Sequence, residues 1–170
     1  MKPLFLLVIC LVMALIAGCQ NEQSNVSTTG PAESTSEQEL AGETAILFFD
    51  YLRSGRYDDA AGLYGGSYEV LQGWNPSVEP ADFTTLWRNG CSINELNCLN
   101  TRSVQVAEQT ATGEFVFLVE FSTREGELFV LGPCCGANET EQPPVSVWPI
   151  RVAKGTDNQY RVMDMPSYSP

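Results

Sequence analysis

The chain contains no histidine. That absence removes Ser-His-Asp and Cys-His nucleophilic catalysis, which need an imidazole to take the nucleophile's proton. It also removes the commonest transition-metal ligand. Positive charge is scarce: nine Lys and Arg stand against 21 Asp and Glu, a net charge of −12 at pH 7. The basic residues are scattered, so the clustered cations that phosphates require are missing and no nucleic-acid partner is expected. The acidic surface that results favours solubility and repels anionic head groups. It reads as a solvated face and not as a cation-binding one. No apolar run reaches the roughly 20 residues a membrane-spanning helix needs.

A shorter apolar run is present at the start. Lys2 gives a positive end, Leu4 to Ala17 is unbroken and apolar, and Ile16-Ala17-Gly18-Cys19 is followed at once by polar sequence. A charged start, an apolar stretch of roughly 7–15 residues and small residues before a cut define a secretory signal. The segment resembles a bacterial lipoprotein signal peptide, with Ile16-Ala17-Gly18-Cys19 in the place of the lipobox. The resemblance implies cleavage before Cys19, whose thiol carries a diacylglyceryl group. Residues 1–18, Cys10 among them, are then lost. An uncleaved membrane anchor and ordinary secretion are the alternatives. Two or more acyl chains anchor stably where one binds only marginally. The expected location is therefore the outer face of the cell membrane. Gln20 and not Asp follows Cys19, which by the same resemblance favours the outer membrane where an organism has two.

Residues 19–39 hold one Val among Ser, Thr, Glu, Gln and Asn, too little apolar surface to build a core. They are expected to form a tether, leaving residues 40–170 as a single domain. Ala45, Phe48, Phe49 and Leu52 recur at helical spacing, and Ser54-Gly55 closes that helix. A second helix is predicted over Tyr57–Tyr64, stopped by Gly65-Gly66, then a turn of helix at Tyr68–Leu71. A third helix is predicted over Pro80–Asn89, closed by Gly90. From Arg102 the period changes to strands: Ser103–Gln109, Glu114–Thr123, Glu127–Leu131, Val145–Val152 and Gln159–Met165. Phe115, Phe117, Val119 and Phe121 share one face, and Val116 and Leu118 the other, so Glu114–Thr123 is expected to be covered on both sides. Pro149 argues for an edge or a bulge.

Helices followed by antiparallel strands give an α+β class, with N-terminal helices packed on a curved sheet of four to five strands. The stretch Phe48-Phe49-Asp50-Tyr51-Leu52-Arg53-Ser54-Gly55-Arg56-Tyr57 through Ala60-Ala61-Gly62-Leu63-Tyr64 resembles the opening of nuclear transport factor 2-like domains. The resemblance implies a cone: a sheet wrapped around helices, leaving a pocket. The chain departs from the enzymes of that family in having no His.

Four cysteines follow the signal: Cys91, Cys98, Cys134 and Cys135. Outside the cytoplasm disulfides persist, and four cysteines allow three pairings. Adjacent residues are hard to bridge, so Cys134 and Cys135 are expected to bond to Cys91 and Cys98. The alternatives are a Cys91–Cys98 staple beside a strained vicinal pair, which would be reducible, and a four-thiolate metal site.

Candidate chemistry rests on acids and phenols near apolar surface: Asp50, Tyr51, Tyr64, Asp82, Glu120 and Asp164. A carboxylate such as Glu120 or Asp50 as general base, with Tyr64 stabilising an oxyanion, would suit isomerase-like acid–base chemistry of the cone-fold kind. Each has a plainer reading as a surface, rim or cross-strand residue. Trp87, Phe83, Phe115 and Trp148 are candidates to line a pocket for a small apolar ligand, with core packing the competing reading. No cofactor and no metal are expected. The expectation is a membrane-tethered, non-catalytic domain that binds a small molecule or an envelope protein, with a lipid-anchored cone-fold enzyme as the alternative.

Overall fold

A computed structural model of the protein describes residues 31–168, with side chains from Ser36 onward. The signal segment and Cys19 lie outside the described residues. Helix α1 spans Pro31–Ser54. Its buried stripe is Ala41, Ala45, Phe48, Phe49 and Leu52, each at most 1% exposed. Gly55 takes φ 77°, and the bonds Arg56 N–H to Tyr51 O and Gly55 N–H to Leu52 O complete the left-handed cap expected there. The helix begins before residue 39, so residues 31–39 are helical where a tether was expected. Pro31 suits a first turn, and the stretch to Leu40 contains good helix formers and no further breaker. Lys154 Nζ lies 2.7 Å from Glu37 Oε1, holding this early turn against the sheet.

Helices α2 (Tyr57–Leu63), α3 (Glu69–Trp74) and α4 (Phe83–Ser92) follow. Asp58 and Asp59 occupy the first turn of α2, where the helix dipole favours negative charge. Gly65-Gly66 does more than stop α2. Gly65 N–H donates to Val162 O, and a Cβ at Gly66 would overlap the Met163 carbonyl oxygen. The chain passes too close to the last strand for a side chain to fit. Helix α4 starts three residues later than Pro80, because Asp82 caps it by accepting from the Thr85 N–H at 3.0 Å. It also runs through Gly90 and does not end there. Gly90 is a packing residue: a Cβ on it would sit 2.8 Å from Leu96 Cδ1 and 3.1 Å from Leu71 Cδ2.

The sheet is an antiparallel meander of β1 (Asn100–Gln109), β2 (Phe115–Ser122), β3 (Trp148–Lys154) and β4 (Tyr160–Val162), in that order. The class is α+β, as expected. Phe115, Phe117, Val119 and Phe121 of β2 are buried, facing the helices with Ile150, Val152 and Val162. Phe49 meets Phe121 edge-on at 4.8 Å, and Phe48 meets Trp87 edge-on at 5.5 Å. Complete burial of such side chains is worth about 1.5–3 kcal/mol each, so this layer holds the domain together. The opposite face of β2 is open: Leu118 is 40% exposed. The two-sided covering expected for β2 is therefore absent, because all four helices precede the sheet and the inner face is the one they cover.

The strand expected over Glu127–Leu131 is not a ladder of its own. The turn into it forms, with Thr123 N–H to Glu127 O and Phe129 N–H to Phe121 O. Strand β3, however, occupies the same edge of β2 further along, pairing Val119 with Trp148 and Phe115 with Val152. The return segment thus starts at 127, bonds β2 through Phe129, leaves it at Leu131, and comes back to β2 as β3 at Trp148. Reciprocal bonds between Leu131 and Val145 pinch the neck of the excursion, at 2.8 and 2.9 Å. Pro149 was expected at an edge or a bulge; β3 is an interior strand, but Pro149 sits beyond the part of it that β4 pairs. Arg151, on the same side of β3, takes the Met163 N–H at its carbonyl, while β4 pairs no further back than Val152. The missing N–H of Pro149 therefore points where no strand follows.

Candidate functional site

The exposed side of α1 carries a second helical row, Leu40, Glu43, Thr44 and Leu47, at i, i+3, i+4, i+7. With Glu37, Leu63 and the β3–β4 hairpin it walls an open groove of about 430 Å³. Lys154, Asn158, Gln159 and Tyr160 form the hairpin side. The position follows from the fold: the 155–159 turn places the hairpin beside the first turns of α1, and the Glu37–Lys154 ion pair joins them. Leu40 and Leu47 are 53% and 43% exposed, so their methyls give the wall an apolar stripe. Two carboxylates, Glu37 and Glu43, and one ammonium, Lys154, line its rim. The Lys154 ammonium also stands 5.5 Å from the centre of the Tyr160 ring. Burial, aided by the Glu37 charge, holds the Tyr160 phenol above its ordinary range. Thr44 Oγ1 donates to the Leu40 carbonyl, a tie that competes with action as a nucleophile. The groove offers an apolar wall with a net negative rim, which suits binding more than bond-making.

The residues singled out from the sequence do not converge on it. Glu120 lies on the open face of β2 and accepts the Ser103 hydroxyl at 2.7 Å. Asp50 is exposed on α1. Tyr64 is in the core, 7% exposed, and donates to the Ser67 carbonyl at 3.1 Å. Burial is the main reason its phenol is held well above the ordinary range. Asp82 is the cap of α4, and Asp164 clasps Arg151 through its backbone N–H and its guanidinium. The proposed base and phenol thus sit on different faces.

The four proposed pocket aromatics are also dispersed. Trp87 is fully buried, and its Nε1–H donates to the Tyr68 hydroxyl at 3.1 Å. Phe83 stacks on the outer side of Tyr68 at 4.2 Å. Phe115 is core, beside Phe117 and Tyr160. Trp148 stacks on Phe129 at 5.5 Å. They pack the interior and its margins, the competing reading of such residues. The groove was missed because its apolar members are only partly covered. The 40–43–44–47 row was the one signal in the sequence that pointed to it.

The cysteines pair differently from the favoured expectation. Cys91 is bonded to Cys98, which rules out bridges from these two to Cys134 and Cys135 and also the four-thiolate site. Cys134 and Cys135 are free thiols, with sulfurs 2.6 Å apart. Among the described residues no cluster of Cys, Asp or Glu is arranged to hold a metal ion, and no helix is long and apolar enough to cross a membrane.

No protein-family model matches the chain, and no curated protein and no solved structure matches it significantly.

Proposed function

We propose that the protein is a lipid-anchored, non-catalytic binding module displayed outside the cytoplasm, built on a variant of the nuclear transport factor 2-like cone. The groove between α1 and the β3–β4 hairpin is its ligand site. The ligand class is a small molecule with an apolar body and a cationic group. The observation that carries this reading is the pairing of an exposed leucine stripe with a rim of two carboxylates against one ammonium. An apolar wall supplies affinity by area and the rim supplies orientation. The helix order and the meander sheet support the cone, while the dispersal of Glu120, Asp50 and Tyr64 argues against the isomerase-like alternative. The anchor rests on Ile16-Ala17-Gly18-Cys19.

Two experiments test the two halves. Amide chemical shifts are followed while hexylammonium or hexanoate is added. The expected result is that Leu40, Leu47 and Tyr160 respond to the ammonium and not to the carboxylate, and that Leu47→Asp weakens the response. Equal responses, or shifts clustered elsewhere, overturn the site. For the anchor, Cys19→Ser is expected to leave an unprocessed precursor without lipid. Normal processing and membrane retention of that variant would overturn it.

A further inference from the structure

The excursion between Leu131 and Val145 carries chemistry that neither the groove nor the core uses. Its tip is the turn Cys134-Cys135-Gly136-Ala137, closed by the Ala137 N–H donating to the Cys134 carbonyl at 3.0 Å. Both central residues take positive φ, 60° at Cys135 and 89° at Gly136. For Gly136 that is ordinary, but Cys135 adopts a backbone conformation that L-residues other than Asn and Asp rarely visit. The turn is held from the far side of the loop, where Gln142 Oε1 accepts the Cys134 N–H at 3.0 Å. In this frame the two sulfurs lie 2.6 Å apart, against about 2.0 Å for a disulfide bond. Cys135 is exposed and Cys134 half-buried, so both can be reached by reagents in solution. Cys91 and Cys98 are already bonded to one another, so among the described residues each remaining thiol has only its neighbour as a partner. The hydrogen bond to Cys134, and then the Cys134 charge, hold the Cys135 thiol above its ordinary range.

We propose that Cys134 and Cys135 are a redox-active vicinal pair that closes into a disulfide by exchange with an external disulfide. In the first step one thiol loses its proton to solvent and attacks a sulfur of the incoming disulfide. A mixed disulfide forms, and the first external thiolate leaves and takes up a proton. In the second step the neighbouring thiol, deprotonated, attacks the protein-side sulfur of that mixed disulfide and expels the second external thiolate, which is protonated in turn. The pair has then lost two electrons and two protons, and the external disulfide has gained both as two thiols. Because the resulting ring is small and its peptide constrained, this bridge is the more easily reduced of the two in the molecule. The reaction proceeds at the tip of a loop pinched off at its neck, so the sheet stays as it is while the tip changes state. The proposal is independent of the groove and its ligand.

The test uses the full chain, first reduced mildly and then incubated with oxidised glutathione. It is quenched in acid, alkylated with N-ethylmaleimide, digested and weighed. The expected peptide spanning 134–135 is two hydrogens lighter, carries neither glutathione nor maleimide, and regains two alkylation sites at reductant concentrations that leave Cys91–Cys98 closed. Cys134→Ser and Cys135→Ser are each expected to accumulate one stable glutathione adduct, because no neighbour remains to displace it. Circular dichroism and an intact Cys91–Cys98 bridge establish that both variants are folded. Three outcomes overturn the proposal: a wild-type chain that keeps its glutathione adduct, two thiols that remain alkylatable after the oxidant, or a bridge from either residue to Cys91 or Cys98.

Discussion

Cys91 and Cys98 stand seven residues apart and close the loop that follows α4, while Cys134 and Cys135 stand side by side at the tip of the excursion between 131 and 145. Around the first pair the loop is woven into the domain. Leu96 is 5% exposed and sits in the core against Gly90. Asn75 ties α3 to this region, donating to Asn94 Oδ1 and accepting from Asn89 Nδ2, both at 2.9 Å. The Asn97 N–H donates to the Ser167 carbonyl at 2.7 Å, and Leu96 bridges Tyr168, so the end of the chain rests on the same loop. Around the second pair the side-chain ties stay within the excursion, from Gln142 to the Cys134 N–H and between Asn138 and its neighbours to Glu141, amid mostly exposed polar sequence ending in Pro143-Pro144. The lesson is that a cysteine's role follows from what its loop buries. A bridge in a packed loop reinforces contacts already present, whereas two thiols on an unburied loop are left to react.

That contrast can be broken most severely at Leu96. Leu96→Ala empties a core position and is expected to destabilise by about 2–4 kcal/mol, read as a lowered urea midpoint, with the 163–168 segment losing amide protection first. Removing the bridge through Cys91→Ser with Cys98→Ser is next, about 2–3 kcal/mol for so short a loop. A midpoint unchanged in that double variant would mean that the leucine and asparagine contacts alone hold the loop. Gly90→Ala sets two effects against one another. Alanine is the better helix former by about 1 kcal/mol, but its methyl meets Leu96 Cδ1 at 2.8 Å, and overpacking costs about 1–3 kcal/mol. Net destabilisation of about 1 kcal/mol is expected in the wild-type chain, turning to stabilisation in a Leu96→Ala background, where the closest clash is gone and Leu71 Cδ2 at 3.1 Å can shift into the space Leu96 leaves. A double-mutant cycle without that sign change would show that the methyl is accommodated some other way.

On the other loop the same measurement sharpens the comparison by its smallness. Cys134→Ser with Cys135→Ser is expected to shift stability by no more than about 0.5 kcal/mol, since neither residue contributes to the core. The β3–β4 turn provides the last test, a modest effect read from its dependence on pH. Arg161 first, and then the Gln159 N–H, hold the Asp157 carboxyl down to about 2. A carboxyl depressed in the folded state contributes stability that is present above its ordinary value near 3.9 and is lost as pH falls toward 2. Asp157→Asn should therefore lower stability modestly at neutral pH, flatten the acid limb of the stability curve between pH about 4 and 2, and leave stability near pH 2 nearly unchanged. A steeper limb in the variant would contradict that sign.

Much of the architecture was legible in the sequence because it depends on local period and turn chemistry. The Ala45–Phe48–Phe49–Leu52 stripe, the Gly55 cap and the alternation in β2 all specify their own geometry. The errors came where distant segments compete for one place. Glu127–Leu131 has strand character, but the edge of β2 it would need is taken by a segment some twenty residues later. Gly90 looked like a terminator because a glycine's backbone freedom is visible in the sequence and the leucine opposite it is not. Glu120 looked unusual in an apolar strand, yet alternation alone puts it on the open face opposite Ser103.

By itself the sequence determined the α+β class, the helix and strand periods, and the absence of histidine chemistry, because each is a property of neighbouring residues or of composition. Only the tertiary structure decided which cysteines meet, which face of the sheet is covered, and that the partly exposed row of α1 faces a hairpin more than a hundred residues away, as the 117-residue span of the Lys154–Glu37 contact shows. Those outcomes turn on which surfaces exclude water from one another. That is settled by how the whole chain packs, and it leaves no periodic mark in the segments involved.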